Sequence, residues 1–373
     1  MTVPDSEKHQ AWQDRYRNGY FLAPMVRVGT LPMRLLSLHY GADLVWTCEI
    51  IDKSIANCLR TVNDQTGVIS YSKDGREIFT THKDEKSRVV FQMGSASPDT
   101  ALEAARTIEN DVAGIDLNCG CPMKFSVQGG MGAALMEDPD RLCAILEALV
   151  QNVSVPVTCK IRVFDDEEKT IELARRIAAT GISALTVHCR TRYMRPREKA
   201  MWHRLNRIVG ELSPLPVILN GDICHFDDVQ KARESTGATS VMTARGAIAN
   251  PSIFRKESVS VLEATVEFVK TAMRASNSYA NTKYTVLLMY TDTKAPEYKV
   301  LQASKCYEAM CGALGIAEFY HAEGKLCVTD RNDPMRVKQN GALGKRSAVK
   351  NETSVDAQPE SDAAETPTKR AKA

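Results

Sequence analysis

The 373-residue chain has no apolar run of membrane-spanning length, and residues 1–17 are polar and mixed in charge, without the apolar core of a signal peptide. A membrane span and a secretory leader are therefore not expected, and a soluble cytoplasmic protein is. Its eleven cysteines are spread singly rather than as a disulfide framework, which suits reducing conditions. Cys306 and Cys311 fall on one predicted helix, but no second pair of zinc-finger spacing accompanies them, so no metal site is expected. No solenoid repeat and no separate dinucleotide fingerprint is present. A formal net charge of +2 is low for the partner of a polyanion, so any nucleic-acid surface must be local and offset by acidic surface elsewhere.

What the chain does have is concentrated in Gly114-Ile115-Asp116-Leu117-Asn118-Cys119-Gly120-Cys121-Pro122. The apolar run reads as a buried strand that stops at Asn118. Pro122 cannot continue a central ladder and Gly120 permits a sharp turn, so Cys121 is expected on a stiff loop just past the strand. That is a position for chemistry, although free cysteine is also among the most buried residue types, and the loop alone leaves both readings open.

Apolar, β-branched runs predict eight strands, ending near Ala23, Thr47, Gly94, Asn118, Ile161, His188, Asn220 and Ala244. Amphipathic segments of helical period lie between them, at 100–109, 139–151, 167–180 and 227–236. This alternation predicts an α/β fold, a (β/α)₈ TIM barrel, whose usual length is about 250 residues. One interval is overlong: residues 68–80 alternate around Lys73-Asp74-Gly75 and read as an inserted hairpin.

In such barrels the active site is built at the C-terminal ends of the strands. The residues there are Pro24-Met25-Val26, Glu49, Gln92, Asn118 with Cys121, Lys160 with Arg162, His188 with Arg190, Asn220-Gly221-Asp222 and Ala244-Arg245-Gly246. All but the first set carry specific hydrogen-bonding groups, more than packing alone would select. The last two loops each offer a glycine for close backbone approach and Arg245 adds a cation, which suits the phosphate of a cofactor. Lys160 and Arg162 alternate onto one side of their strand, where a cation would stabilise charge on a reduced flavin ring; a solvated strand-end lysine is the plainer reading. His188 is a core imidazole or part of a wet, anion-facing mouth.

The ordered segments Phe21–Arg34, Gly114–Pro122 with Gly129–Leu135, Cys159–Arg162, His188–Thr191, Asn220–Ile223, Ala244–Ala247 and Asn250–Phe254 resemble the tRNA dihydrouridine synthases. The likeness is greatest to the eukaryotic branch that acts on the D-loop uridine at tRNA position 20. It implies an enzyme that saturates the C5–C6 bond of uridine, with FMN as cofactor, NADPH or NADH as reductant and tRNA as partner. By position, Cys121 would protonate uracil C5. FMN would contact Pro24, Met25, Val26, Gln92, Lys160, His188, Asn220, Gly221, Asp222, Ala244 and Arg245, while Asn118 and Arg190 would lie near the base, which must leave its stack to react. A thiol of ordinary pKa is about 97 percent protonated at pH 7 and needs no large shift to act as an acid. The cysteine in the neighbouring position, Cys119, is expected to pack. The chain has no room for the double-stranded RNA-binding domain that other members of the branch carry.

The expected organisation is a catalytic barrel at 1–256, a helical tRNA-binding domain at 257–330 and a disordered tail at 331–373. In the second segment Leu262, Val266, Val269 and Met273 recur at helical spacing, as do Val300, Ala303, Tyr307, Met310 and Leu314. The interspersed Lys270, Arg274, Lys283, Lys294, Lys299 and Lys305 are a solvated charge pattern by themselves, and an RNA face under the resemblance. The basic end Lys369-Arg370-Ala371-Lys372 allows a nuclear location as well. No obligate protein partner is evident. Two other readings are a small-molecule FMN barrel of dihydroorotate dehydrogenase type and a non-catalytic tRNA-binding barrel.

Overall fold

Eight parallel strands close on themselves in the computed structural model, which describes residues 6–324 and residue 327. The strands are β1 (Tyr20–Leu22), β2 (Val45–Trp46), β3 (Ile50–Ile51), β4 (Leu59–Val62), β5 (Val68–Lys73), β6 (Arg76–His82), β7 (Val89–Gly94), β8 (Gly114–Asn118), β9 (Val157–Arg162), β10 (Ala184–His188), β11 (Val217–Asn220) and β12 (Ser240–Thr243). The barrel runs β1-β2-β7-β8-β9-β10-β11-β12 and closes through β12 on β1, all in parallel register. Every predicted strand end lies within one residue of the observed one. The tail predicted at 331–373, with its basic end, lies outside the described residues.

Alternation along the strands divides the barrel into two layers. Leu22, Val45, Phe91, Leu117, Cys159, Val187, Leu219 and Val241 pack outward against the helices. Phe21, Trp46, Val90, Ala184, Ile218 and Met242 fill the interior, with Tyr16 against them from the N-terminal segment. Toward the C-terminal ends the interior becomes polar: Gln92, Asn118, Lys160 and Asn220 are all buried there.

The predicted helices are present as Pro98–Ile108, Pro139–Asn152, Glu167–Ala179 and Asp228–Thr236. Each of the first three begins with an N-cap residue, Ser97, Asp138 or Asp166, that favours helix initiation. The inserted hairpin is β5–β6 on the turn at Asp74-Gly75, and it recruits a third strand, β4, into an antiparallel sheet. A buried ion pair ties this insertion to the barrel: Arg34 donates to both Glu85 carboxylate oxygens at 2.9 and 2.7 Å, and to the Thr80 and Gly29 carbonyls.

After Phe254 the described chain is helical, with Val261–Arg274 and Tyr279–Met289 leading. The apolar stripe of Val261–Arg274 differs from the expected one. Ala264, Thr265, Phe268, Val269, Ala272 and Met273 are buried while Leu262 is exposed, because the packed face follows the helix that runs Leu31–His39. The second predicted helix is broken into Pro296–Ala303 and Tyr307–Ala313 by extended backbone at Ser304 and Cys306. Cys306 therefore caps a helix rather than sharing one with Cys311, and Val300 is exposed.

Candidate active site

The loop after β8 is built by its own strand end. The Asn118 side-chain carbonyl accepts from the backbone N–H groups of Gly120 and Cys121 at 3.0 and 3.1 Å, and its amide donates to Gln92 at 3.3 Å. Arg162 at the end of β9 donates to the Gly120 carbonyl at 2.7 Å, so two strands clamp the turn. Cys121 is left half-buried beside the barrel mouth. Cys119 points the other way: it is fully buried in the outward layer, its sulfur 3.6 Å from that of Cys159.

A hollow of about 730 Å³ opens at this point, and Ala23, Pro24, Val26, Glu49, Gln92, Asn118, Cys121, Lys160, His188, Asn220 and Ala244 line it. A second hollow of about 620 Å³ adjoins it through Arg162, His188, Asn220 and Ala244, and is walled by Arg190, Gly221, Asp222 and Arg245. Of the strand-end residues singled out in the sequence, Met25 and Gly246 are absent from both walls; both are buried, Met25 in the core.

Electrostatics differ between the two ends. Burial first, then the charge of Glu49, pushes the Cys121 thiol up to about 11, so it is a protonated thiol at neutral pH. Lys160 is buried at the floor and brought down to about 8 by burial and by the charge of Arg162. Burial and the surrounding Lys160, Arg162, Arg190 and Arg245 lower the His188 pKa far below its ordinary value, which keeps the imidazole neutral. Asp222, in a left-handed turn at φ 58°, bridges Arg190 and Arg245 and accepts from the Ala200 N–H at 2.7 Å. Burial alone would raise its carboxyl, but the bond from Arg190 and the Ala200 N–H hold it below the usual range. Arg190 is thus a buried strut that also donates to the Glu198 carbonyl at 2.7 Å.

Two polar groups of the site, and one pairing, carried little or no signal in sequence. Asp116 sits in an apolar strand, yet its carboxylate faces the interior and accepts from Gln92 at 2.8 Å and Thr158 at 2.6 Å, which orients Gln92. Ser126 reaches Glu49 from the short helix Lys124–Gln128 at 2.9 Å. Glu49 stood out at a strand end, but its pairing with the Cys121 loop is a contact between two loops far apart in the chain.

Fold and site together define an enzyme of the (β/α)₈-barrel class, with a protonated cysteine on one wall of its mouth and a cation-lined hollow on the other. The profile of the dihydrouridine synthase (Dus) family matches residues 21–329, and the chain belongs to that family. It is 42% identical over 328 residues to the tRNA-dihydrouridine(20) synthase [NAD(P)+] of Schizosaccharomyces pombe, covering 84% of this chain and 68% of that protein. It is 40% identical to the Saccharomyces cerevisiae protein of the same name, over 72% of this chain and 76% of that one. A human tRNA-dihydrouridine(20a/20b) synthase [NAD(P)+]-like protein is 30% identical over 69% of this chain and 77% of its own length. Among solved structures, morphinone reductase in complex with tetrahydroNAD aligns at 12% identity with a TM-score of 0.44, over 67% of this chain and 90% of that one, a likeness too distant to bear on the chemistry.

Proposed function

We propose that the protein reduces the C5–C6 bond of uridine in tRNA, at position 20 of the D-loop, with FMN as its resident flavin and NADPH or NADH as reductant. The position and the nicotinamide follow the names of its two yeast relatives. The flavin rests on the donor set. Lys160, Arg162, Arg190 and Arg245 face the joined hollows against only two carboxylates, Asp222 and Glu49, an excess of positive charge that suits a bound phosphate. Pro24, Val26 and Ala244 offer apolar surface to a flat ring, and Gln92 and Asn220 offer amides at its edge.

FMN, when bound, supplies the hydride for C6. The chain supplies the rest. Lys160, buried at the floor of the hollow, would supply a positive charge suited to the negative charge of a reduced flavin. Gln92, fixed by Asp116, presents a hydrogen-bonding amide, and neutral His188 adds no proton that would compete. Cys121 holds the proton for C5: its S–H bond breaks as the C5–H bond forms, and the thiolate left behind regains a proton from water. The target base must be extruded to reach this depth. The exposed basic side chains of the C-terminal helical region, Lys294, Lys299 and Lys305, are assigned to the tRNA backbone. A cytoplasmic location belongs to the same reading.

The observation that carries the proposal is that a protonated thiol and a cation-lined hollow face each other across one mouth. The test is to record the visible spectrum of the purified protein and to incubate it with unmodified tRNA and NADPH or NADH. Flavin absorbance together with dihydrouridine at position 20 is expected. A colourless, folded protein, or a flavoprotein that leaves the tRNA unchanged, would contradict it.

A further inference from the structure

The Glu49 carboxyl is placed for more than packing. Its Oε1 accepts from the Ser126 hydroxyl at 2.9 Å, while Oε2 is buried without a hydrogen-bond partner among the described residues. The Cys121 thiol and the Asn118 amide are its other polar neighbours, and both Glu49 and Cys121 line the same hollow. Two glycines keep the space open. A Cβ at position 94 would lie 2.7 Å from Glu49 Oε1. At position 132, where φ is +58°, a Cβ would lie 2.4 Å from Ser126 Oγ and 2.7 Å from the Cys121 carbonyl oxygen. A buried carboxyl with one unpaired oxygen is costly, so its retention beside a thiol calls for a reason.

The reason lies in the charges that face Cys121. Lys160 and Arg162 approach from β9, and Glu49 approaches from the loop after β2. Cations lower a thiol's pKa, and a cysteine between two of them tends toward thiolate. A thiolate has no proton to give and is a nucleophile instead. We propose that Glu49 is a positioning residue that, together with burial, holds Cys121 as a neutral, proton-bearing thiol against the pull of the neighbouring Lys160 and Arg162. The inference rests on the reading of Cys121 as the acid. It is supported by the Cys121 shift, in which burial and the Glu49 charge outweigh the backbone N–H of Met123 and the hydroxyl of Ser126. Glu49 itself is raised by burial, which its polar neighbours Cys121, Ser126 and Asn118 partly offset.

The test titrates the thiol directly. The flavin-loaded protein is alkylated with iodoacetamide across a pH series, and Cys121 is followed by peptide mass spectrometry with Cys121→Ala as the control. In Glu49→Gln, which keeps the shape and loses the charge, the midpoint should fall by at least about one unit, raising the alkylation rate near pH 8 about tenfold. Glu49→Asp, which keeps the charge, should stay nearer the parent. Ser126→Ala should move the midpoint the other way, because it removes a bond that favours the thiolate, so the idea stays testable even if the glutamine variant folds poorly. The alkaline limb of single-turnover reduction should shift with the alkylation midpoint. An unmoved midpoint in folded Glu49→Gln would overturn the role of Glu49. Parent-like turnover by Cys121→Ala would instead remove the acid role, and the alkylation result would stand apart from it.

Discussion

Asn118 holds Cys121 by its backbone: one side-chain oxygen takes the N–H groups of both Gly120 and Cys121 at 3.0 and 3.1 Å. A residue expected near the base therefore also works as the joint of the Cys121 loop. Asn118→Ala should leave flavin content unchanged and slow uridine reduction, because misplacing a reacting group by about 1 Å can cost about 10²-fold. Prereduced enzyme mixed with tRNA measures it; a rate equal to the parent's would show that the turn holds itself.

Arg245 is paired with Asp222 at 2.5 Å and with the Pro196 carbonyl at 2.9 Å, so it is a cation already fixed at the edge of the hollow. This half-exposed pair contributes about 0–1 kcal/mol to stability, so its loss should not unfold the chain. Arg245→Glu would set a second carboxylate beside Asp222 and repel a phosphate. It should purify folded and largely without flavin, as read from the visible-to-ultraviolet absorbance ratio; a fully loaded variant would exclude this loop from phosphate binding.

The buried pair Arg34–Glu85 joins the helix after β1 to the inserted sheet. Removing one partner leaves the other charge buried and alone, which costs about 3–5 kcal/mol. Arg34→Met should show that loss in urea unfolding, and the double variant Arg34→Met with Glu85→Leu should recover part of it. Unaltered stability in the single variant would mean that the pair is not buried in solution.

The basic residues of the C-terminal helical region divide by what they touch. Lys283 donates to the carbonyls of Gln302 and Ser304 at 2.6 Å each and closes the end of Pro296–Ala303, whereas Lys299 and Lys305 are exposed. Lys299→Glu with Lys305→Glu should weaken tRNA binding and flatten its salt dependence without changing flavin content. Lys283→Glu should lower thermal stability instead. Parent-like tRNA affinity in the double variant would move the RNA to another face.

Much of this architecture was legible because the barrel repeats one rule: an apolar strand, a polar strand end and an amphipathic helix. Pro122 after Gly120-Cys121 marked the loop that matters, and the outward packing of Cys119 follows from alternation along β8. What was not legible depends on contacts between distant segments. Asp116 hides in an apolar strand because the barrel interior supplies Gln92 and Thr158 as its partners. Strand β4 reads as nothing by itself, since its exposed residues are ordered by pairing with β5. Helical spacing from Val300 to Leu314 continued through Ser304, where the backbone is extended and the Ser304 hydroxyl turns to the Leu301 carbonyl at 2.6 Å. The pairing of Arg190 and Arg245 on Asp222 needed three loops in place.

The central claim is that the proton at C5 comes from Cys121. The direct measurement is single-turnover formation of dihydrouridine by prereduced parent, Cys121→Ala and Cys119→Ala. Cys121→Ala should bind flavin and tRNA and be reduced by the nicotinamide as the parent is, yet form product about 10²- to 10⁴-fold more slowly, the usual worth of a general acid. Cys119→Ala, altered only in the buried outward layer, should stay close to the parent. Equal rates for Cys121→Ala and parent would contradict the account, and a collapse in Cys119→Ala alone would transfer the role to its neighbour.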